Sequence, residues 1–140
     1  MNQRICHLTV PGLPIAQPRA RHGQGRTYAA PKSHKIWGYR ASIFKAWHDL
    51  DPVYRRPFEG AVLVSIKFWF PRPKADKEQR ATVKTTKPDL DNLAKGVLDT
   101  LQNVAYGDDA CVVELMLGKW MIRSGTEPRT EICVRGFTDV

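Results

Sequence analysis

The stretch KPDLDNLAKGVLDTLQNVAYGDDACVVE, from Lys87 to Glu114, holds six of the fourteen acidic residues in a 140-residue chain of net charge +8. Leu90, Leu93, Ala94, Val97, Leu98 and Leu101 recur at three- and four-residue spacing, which predicts a helix from about Leu90 to Asn103 with one apolar side. After Gly107, the residues Ala110 to Trp120 have the content of a strand. A helix leading into a strand, with more strand candidates on either side, points to an α+β protein.

Working outward, GAVLVSIKFWF (residues 60–70) is rich in Val, Ile and aromatic residues and is expected to be a central strand. CHLTVPGLP (5–13) reads as a first strand and RTEICVRGF (129–137) as a fourth. The short Gly/Pro link between the third and fourth strands predicts that they pair antiparallel. A second helix is expected from about His34 to Leu50, N-capped by Ser33, with Ile36, Ile43, Trp47 and Leu50 on its core side and Phe44 beside them. Trp37 and Tyr39 lie off the centre of that stripe, where packing and base stacking are both open to them. The expectation is thus one compact α+β domain over residues 1–140, with a mixed sheet of about four strands and two main helices.

Two polar segments separate these elements. Residues 15–31 are rich in Pro, Gly and Arg, and residues 71–88 carry six basic against two acidic side chains, so both read as basic loops, the second a mobile one. No Asp or Glu precedes Asp49. Such a cationic half suits a polyphosphate partner, and two basic loops could flank a nucleic-acid duplex, although a solvated surface explains the charge equally well. Length and the absence of a long apolar run predict a cytoplasmic protein with no membrane segment. Cys6, Cys111 and Cys133 are odd in number and set among apolar residues, which favours buried thiols over a disulfide framework or zinc site.

The carboxylates carry the chemical argument. Asp89 and Asp91 stand at the entry to the helix, where either could simply cap it. Lys95 follows one turn later, and Asp108 and Asp109 open the next strand. Two adjacent carboxylates repel by up to about 4 kcal/mol at ~4 Å and an effective dielectric near 20, a cost that a divalent cation reverses. Mg²⁺ is held by one or two carboxylates plus substrate phosphate oxygens, so acids gathered on a cationic surface point to an ion between protein and phosphate. Strand alternation would place Asp109 with Cys111, Val113 and Leu115 on the face toward the helices, and Asp108 with Glu114 toward water. Asp99 reads as an intrahelical partner of Lys95.

One geometric condition follows. About twelve residues of helix separate Asp91 from Asn103 by roughly 18 Å. The two acidic clusters meet within one subunit only if NVAYGD runs nearly extended back along the helix. A tight turn there would put the later acids at another site or on a partner subunit.

KPDLDNLAKGVLDTL followed by VAYGDDACVVEL resembles the signature of the RusA-type Holliday junction resolvases, and HLTVPGLP is similar to that family's first strand. The resemblance implies a metal-dependent endodeoxyribonuclease that resolves four-way junctions in recombination and repair, of bacterial or phage source. It implies Asp89, Asp91 and Asp109 (or Asp108) as ligands of Mg²⁺, with Mn²⁺ as a substitute, and Lys95 as a catalytic aid. Branched DNA would be the substrate. A C2 homodimer with one site per subunit would match the approximate two-fold symmetry of a junction cut in pairs. Arg19, Arg21, Arg26, Lys84 and Lys87, in the two basic loops, are the expected DNA contacts. The alternative is a non-catalytic basic nucleic-acid-binding module in which Asp89 is a cap and Asp108/Asp109 shape a turn. A sugar-transferase clamp built on Asp89-Leu90-Asp91 is a third reading, opposed by the lack of a buried strand before it.

Overall fold

The computed structural model describes residues 4–19, 21–23, 26–28 and 30–137, with 21–23 and 26–28 described by backbone alone. Its elements, in chain order, are β1 (Ile5–Pro11), β2 (Arg21–Gly23), β3 (Arg26–Tyr28), α1 (Ile36–His48), β4 (Val62–Phe70), β5 (Thr82–Val83), α2 (Leu90–Leu101), β6 (Val112–Met121) and β7 (Arg129–Gly136). Five strands form one mixed sheet in the order β1-β7-β4-β6-β5, and β2 and β3 form a separate antiparallel pair.

Strict alternation explains why β4 lies at the centre. Val62, Val64, Ile66, Phe68 and Phe70 are all buried, each facing the same side of the pleat. On β1 the same side carries Cys6, Leu8 and Val10, and on β7 it carries Thr130, Ile132 and Val134. Both helices cover this side. From α1 come Ile36, Tyr39, Ile43 and Trp47, and from α2 Leu93, Val97 and Leu101. Gly96 lets the helices approach, since a Cβ there would stand 3.3 Å from Ile36 Cδ1. Among the described residues, no helix lies on the opposite side of the sheet.

The α+β class, two helices and central β4 agree with the reading of the sequence, with five strands in place of about four. Several local expectations are corrected. β6 and β7 do not pair with each other: β4 lies between them, parallel to β6 and antiparallel to β7. The 122–128 link therefore crosses one strand. Ser33 is not the cap of α1. Lys35 occupies that position without a side-chain bond, and the ring Nδ1 of His34 accepts the Ile36 amide at 3.0 Å. Tyr39 belongs to the core and bonds Thr130 Oγ1 at 2.5 Å, whereas Phe44 is nearly half exposed.

Among the described residues, both basic segments contain short strands. The first contains the β2–β3 pair. The second is pinned by Arg72, whose guanidinium donates to the Ile122 and Arg80 carbonyls, to Thr82 Oγ1 and to Asp76 Oδ2. Its side chain is only 8% exposed. A buried guanidinium needs such a set of acceptors, and these hold residues 72–82 against the β6–β7 connection. β5 then adds an edge strand to β6.

Candidate active site

Asp89 occupies the N-cap position of α2, yet its side chain makes no capping bond. Its carboxylate is turned toward cations. Lys87 Nζ donates to both oxygens at 2.8 and 3.0 Å, and Arg19 Nη2 stands 3.5 Å away. The Lys87 bond, reinforced by the charges of Lys87, Arg19 and Lys119, holds the Asp89 carboxyl below the ordinary Asp value. Lys119 comes from β6, which runs alongside α2, and its ammonium donates to the Thr86 and Pro88 carbonyls at 2.7 and 2.8 Å. It thereby ties the segment that carries Asp89 to the sheet.

Asp91, in the first turn of α2, is exposed, and its Oδ1 accepts the Asn92 amide at 2.9 Å. Lys95 follows one turn on, and its Nζ lies 3.5 Å from Asp99 Oδ2. These three side chains make a charged stripe along the shoulder of the helix, as their spacing predicts.

The later acids arrive by a turn. Ala105 N donates to Leu101 O at 2.8 Å and Asn103 N to Tyr106 O at 2.7 Å, with Asn103 at φ 65°, a left-handed conformation that Asn tolerates well. The nearly extended return along the helix is therefore not what forms. Tyr106 is folded back into the core, its hydroxyl 3.4 Å from Leu98 O and donating to Asp109 Oδ1 at 3.3 Å. The Gln102 amide, with its nitrogen turned to Asp109, donates to Oδ2 at 2.9 Å. Burial pushes the Asp109 carboxyl above the ordinary Asp value. The Tyr106 hydroxyl and Lys95 work against that, and Asp99 and Asp108 add repulsion.

Asp109 thus faces the Lys95–Asp99 part of α2, about 6 to 12 Å of helix rise beyond Asp91. The strand-alternation argument for it does not hold. Asp109 sits in a 3-10 turn, Asp109–Cys111, before β6 begins, and a bulge at Val62/Leu63 breaks the register so that Val113 is more than half exposed. Asp108 is the capping residue of that turn, its Oδ1 accepting the Ala110 amide at 2.9 Å.

Of the expected DNA contacts, Arg19 and Lys87 gather at Asp89, and Lys84 lines the neighbouring groove with Lys87. Lys84 donates to Thr86 Oγ1 at 2.8 Å and lies 5.1 Å from the centre of the Phe70 ring. Arg21 and Arg26 lie on β2 and β3, and their side chains fall outside the described residues. Reading the sequence missed Lys119, Tyr106 and Gln102 and left Asp99 as a mere partner of Lys95. Only Asp99 carried a signal, its helical spacing from Asp91 and Lys95.

The donor set suits a hard divalent ion, being carboxylate oxygen with Asp89 already holding an ammonium where a cation would sit. Among the described residues no three His, Cys, Asp or Glu side chains come together as a closed metal cage. That is compatible with Mg²⁺, which keeps waters and substrate oxygens in its shell.

A small α+β protein that sets carboxylates among lysines and arginines beside an open surface has the means to handle a phosphodiester. The chain matches the family described as endodeoxyribonuclease RusA over residues 11–135, and it belongs to that family. It is also 34% identical over 139 residues, covering 91% of this chain and 93% of the relative, to "Uncharacterized protein YqaN" of Bacillus subtilis (strain 168). Family membership makes the chain a DNA nuclease, with the junction-resolving activity that the family implies. No helix among the described residues is long and apolar enough to cross a membrane.

Proposed function

We propose that residues 1–140 act as one domain, a Mg²⁺-dependent endonuclease of the bacterial cytoplasm that resolves four-way DNA junctions in recombination and repair. The observation that carries this reading is Asp89: it begins α2 without capping it and presents its carboxylate to Lys87, Arg19 and Lys119. A carboxylate kept out of its ordinary structural role, among cations that also suit phosphate, favours the nuclease over a passive binding module.

Asp89 and Asp91 would hold Mg²⁺ at the start of α2 and Asp109 a second ion further along it beside Asp99, with Asp108 kept for its turn. When bound, Mg²⁺ supplies charge neutralisation at phosphorus and acidifies a water. Tyr106 and Gln102 orient the Asp109 carboxylate. Lys95, flanked by Asp91 and Asp99, offers its ammonium to the phosphate or the leaving oxygen. With a cation held at Asp89, Lys87 and Arg19 would be free to hold the DNA backbone. Burial is the main cause that raises the Asp109 carboxyl, and a bound cation would also relieve the added repulsion of Asp99 and Asp108.

The protein would act as a homodimer, paired through the helix-free side of the sheet. There Leu63 lies between Arg135 on β7 and Glu114 on β6, with Ile5 and Met116 41% and 70% exposed. A two-fold axis near Leu63 would set Arg135 against Glu114 of the partner subunit, a self-complementary arrangement.

The test is cleavage of a synthetic four-way junction and a matched linear duplex, in Mg²⁺ or EDTA, by wild type and Asp91→Asn. Cutting of the junction alone, with metal alone and by wild type alone, is expected. Equal binding of both DNAs without cutting in Mg²⁺ or Mn²⁺ would instead favour the binding module.

A further inference from the structure

A groove of about 420 Å³ opens beside Asp89, between the segment after β1, the start of α1 and the end of β4. Its floor is apolar, made by Leu13, Ile15, Ala16, Phe70 and the rings of Pro14 and Pro88. Its rim is cationic: Lys35, Lys84 and Lys87 line it, and no carboxylate among the described residues does. His34 completes the wall. Because the His34 Nδ1 accepts the Ile36 amide, the neutral ring carries its proton on Nε2, where it is a donor. Lys84 lies over Phe70 and Lys87 bonds Asp89, so the groove adjoins the carboxylates.

An apolar floor under three ammonium groups and an imidazole donor fits a ligand that is flat and apolar on one side and anionic on the other. From this complementarity we infer that the groove receives one unstacked nucleotide flanking the scissile phosphate, its base on the Leu13–Ala16 and Phe70 floor and its phosphates on Lys35, Lys84 and Lys87. A base inside a continuous duplex stack cannot enter a concave groove, whereas unstacking costs least where pairing is already broken. A four-way junction offers such a place at its crossover. The groove would then choose which dinucleotide step is cut and would favour junction over duplex. This rests on the nuclease reading above and adds to it a site for base selection.

The experiment places 2-aminopurine, a base whose fluorescence is quenched by stacking, singly at each position around the crossover of a junction. Fluorescence is read on binding of Asp91→Asn protein in EDTA, with binding followed by gel shift. The expected result is brightening at one position next to the cut. Cleavage positions are then compared for wild type, Ala16→Leu, which fills the groove, and Leu13→Ser, which removes part of its floor. Leu13 is 45% exposed, so that variant keeps the fold. Both variants should narrow the preference for the favoured cut by about tenfold, within the range for loss of one base contact. Wild type that fails to cut junctions in Mg²⁺ would sink the nuclease reading and this inference together. If wild type cuts while 2-aminopurine stays dark at every position, or both variants keep the wild-type preference, the groove is not a base site and the nuclease reading stands.

Discussion

Replacing Lys119 by Met removes the link between the sheet and the segment that carries Asp89. The ammonium donates two charge-assisted hydrogen bonds, to Thr86 O at 2.7 Å and Pro88 O at 2.8 Å. Bonds of this class contribute about 1.5 to 3 kcal/mol each. Thr86 is exposed and its carbonyl can return to water, so the net loss is nearer one such bond, about 2 kcal/mol. For a chain of this size that corresponds to a fall in Tm of about 4 to 10 °C. Methionine keeps the length and apolar character of the stem, which separates the ammonium from its packing. The functional loss should be larger than the structural one, because Asp89 loses both its anchored backbone and one of the charges that keep it ionised. The assay is thermal unfolding in EDTA beside single-turnover junction cleavage at a temperature where both proteins are folded. Cleavage should fall at least tenfold, with junction binding measured in an Asp91→Asn background reduced far less. An unchanged Tm together with unchanged cleavage would refute the argument that Lys119 positions Asp89.

Arg72→Ala leaves four acceptors without their donor and should cost about 2 to 4 kcal/mol, with trypsin cutting at Lys74, Lys77 or Arg80 far sooner than in wild type. For Asp109 the folded pKa lies above the unfolded one, so the metal-free protein is favoured at low pH and loses that contribution as pH rises through the folded value. Asp109→Asn removes this dependence: in EDTA it should melt above wild type at pH 8, with the gap closing toward pH 4, while cleavage is lost. Met116→Asp, at a 70% exposed position on the helix-free sheet side, should leave folding intact and convert the proposed dimer to monomer in sedimentation equilibrium.

What was legible in the sequence follows from how local each signal is. The alternation of β4 and the apolar stripe of α2 are short-period patterns, and both elements formed within two residues of expectation. Pairing is not local. The Gly/Pro link after β6 looks like a hairpin connection, but β4 enters between β6 and β7, its backbone donors and acceptors pairing on both edges while its alternate apolar side chains fill the core. Arg72 shows why a polar, Pro-punctuated segment can still be ordered: one buried guanidinium holds acceptors spread from Asp76 to Ile122. At the site, Asp89, Asp91, Lys95 and Asp109 were all recognisable as residues. Their separation into two groups along α2 was not, since it depends on the Leu101–Tyr106 turn. Lys119 was invisible for the same reason, its acceptors being 31 and 33 residues away.

The central claim is that Asp89, Asp91 and Asp109 all hold metal, at two positions that the turn sets apart along α2. Calorimetric titration of the DNA-free protein with Mn²⁺ tests it directly, on wild type and on Asp89→Asn, Asp91→Asn and Asp109→Asn, with Asp51→Asn as the control. The account predicts that each of the three site substitutions weakens or abolishes Mn²⁺ binding at its own position and that the control does not. Wild-type binding that survives all three substitutions unchanged would contradict it.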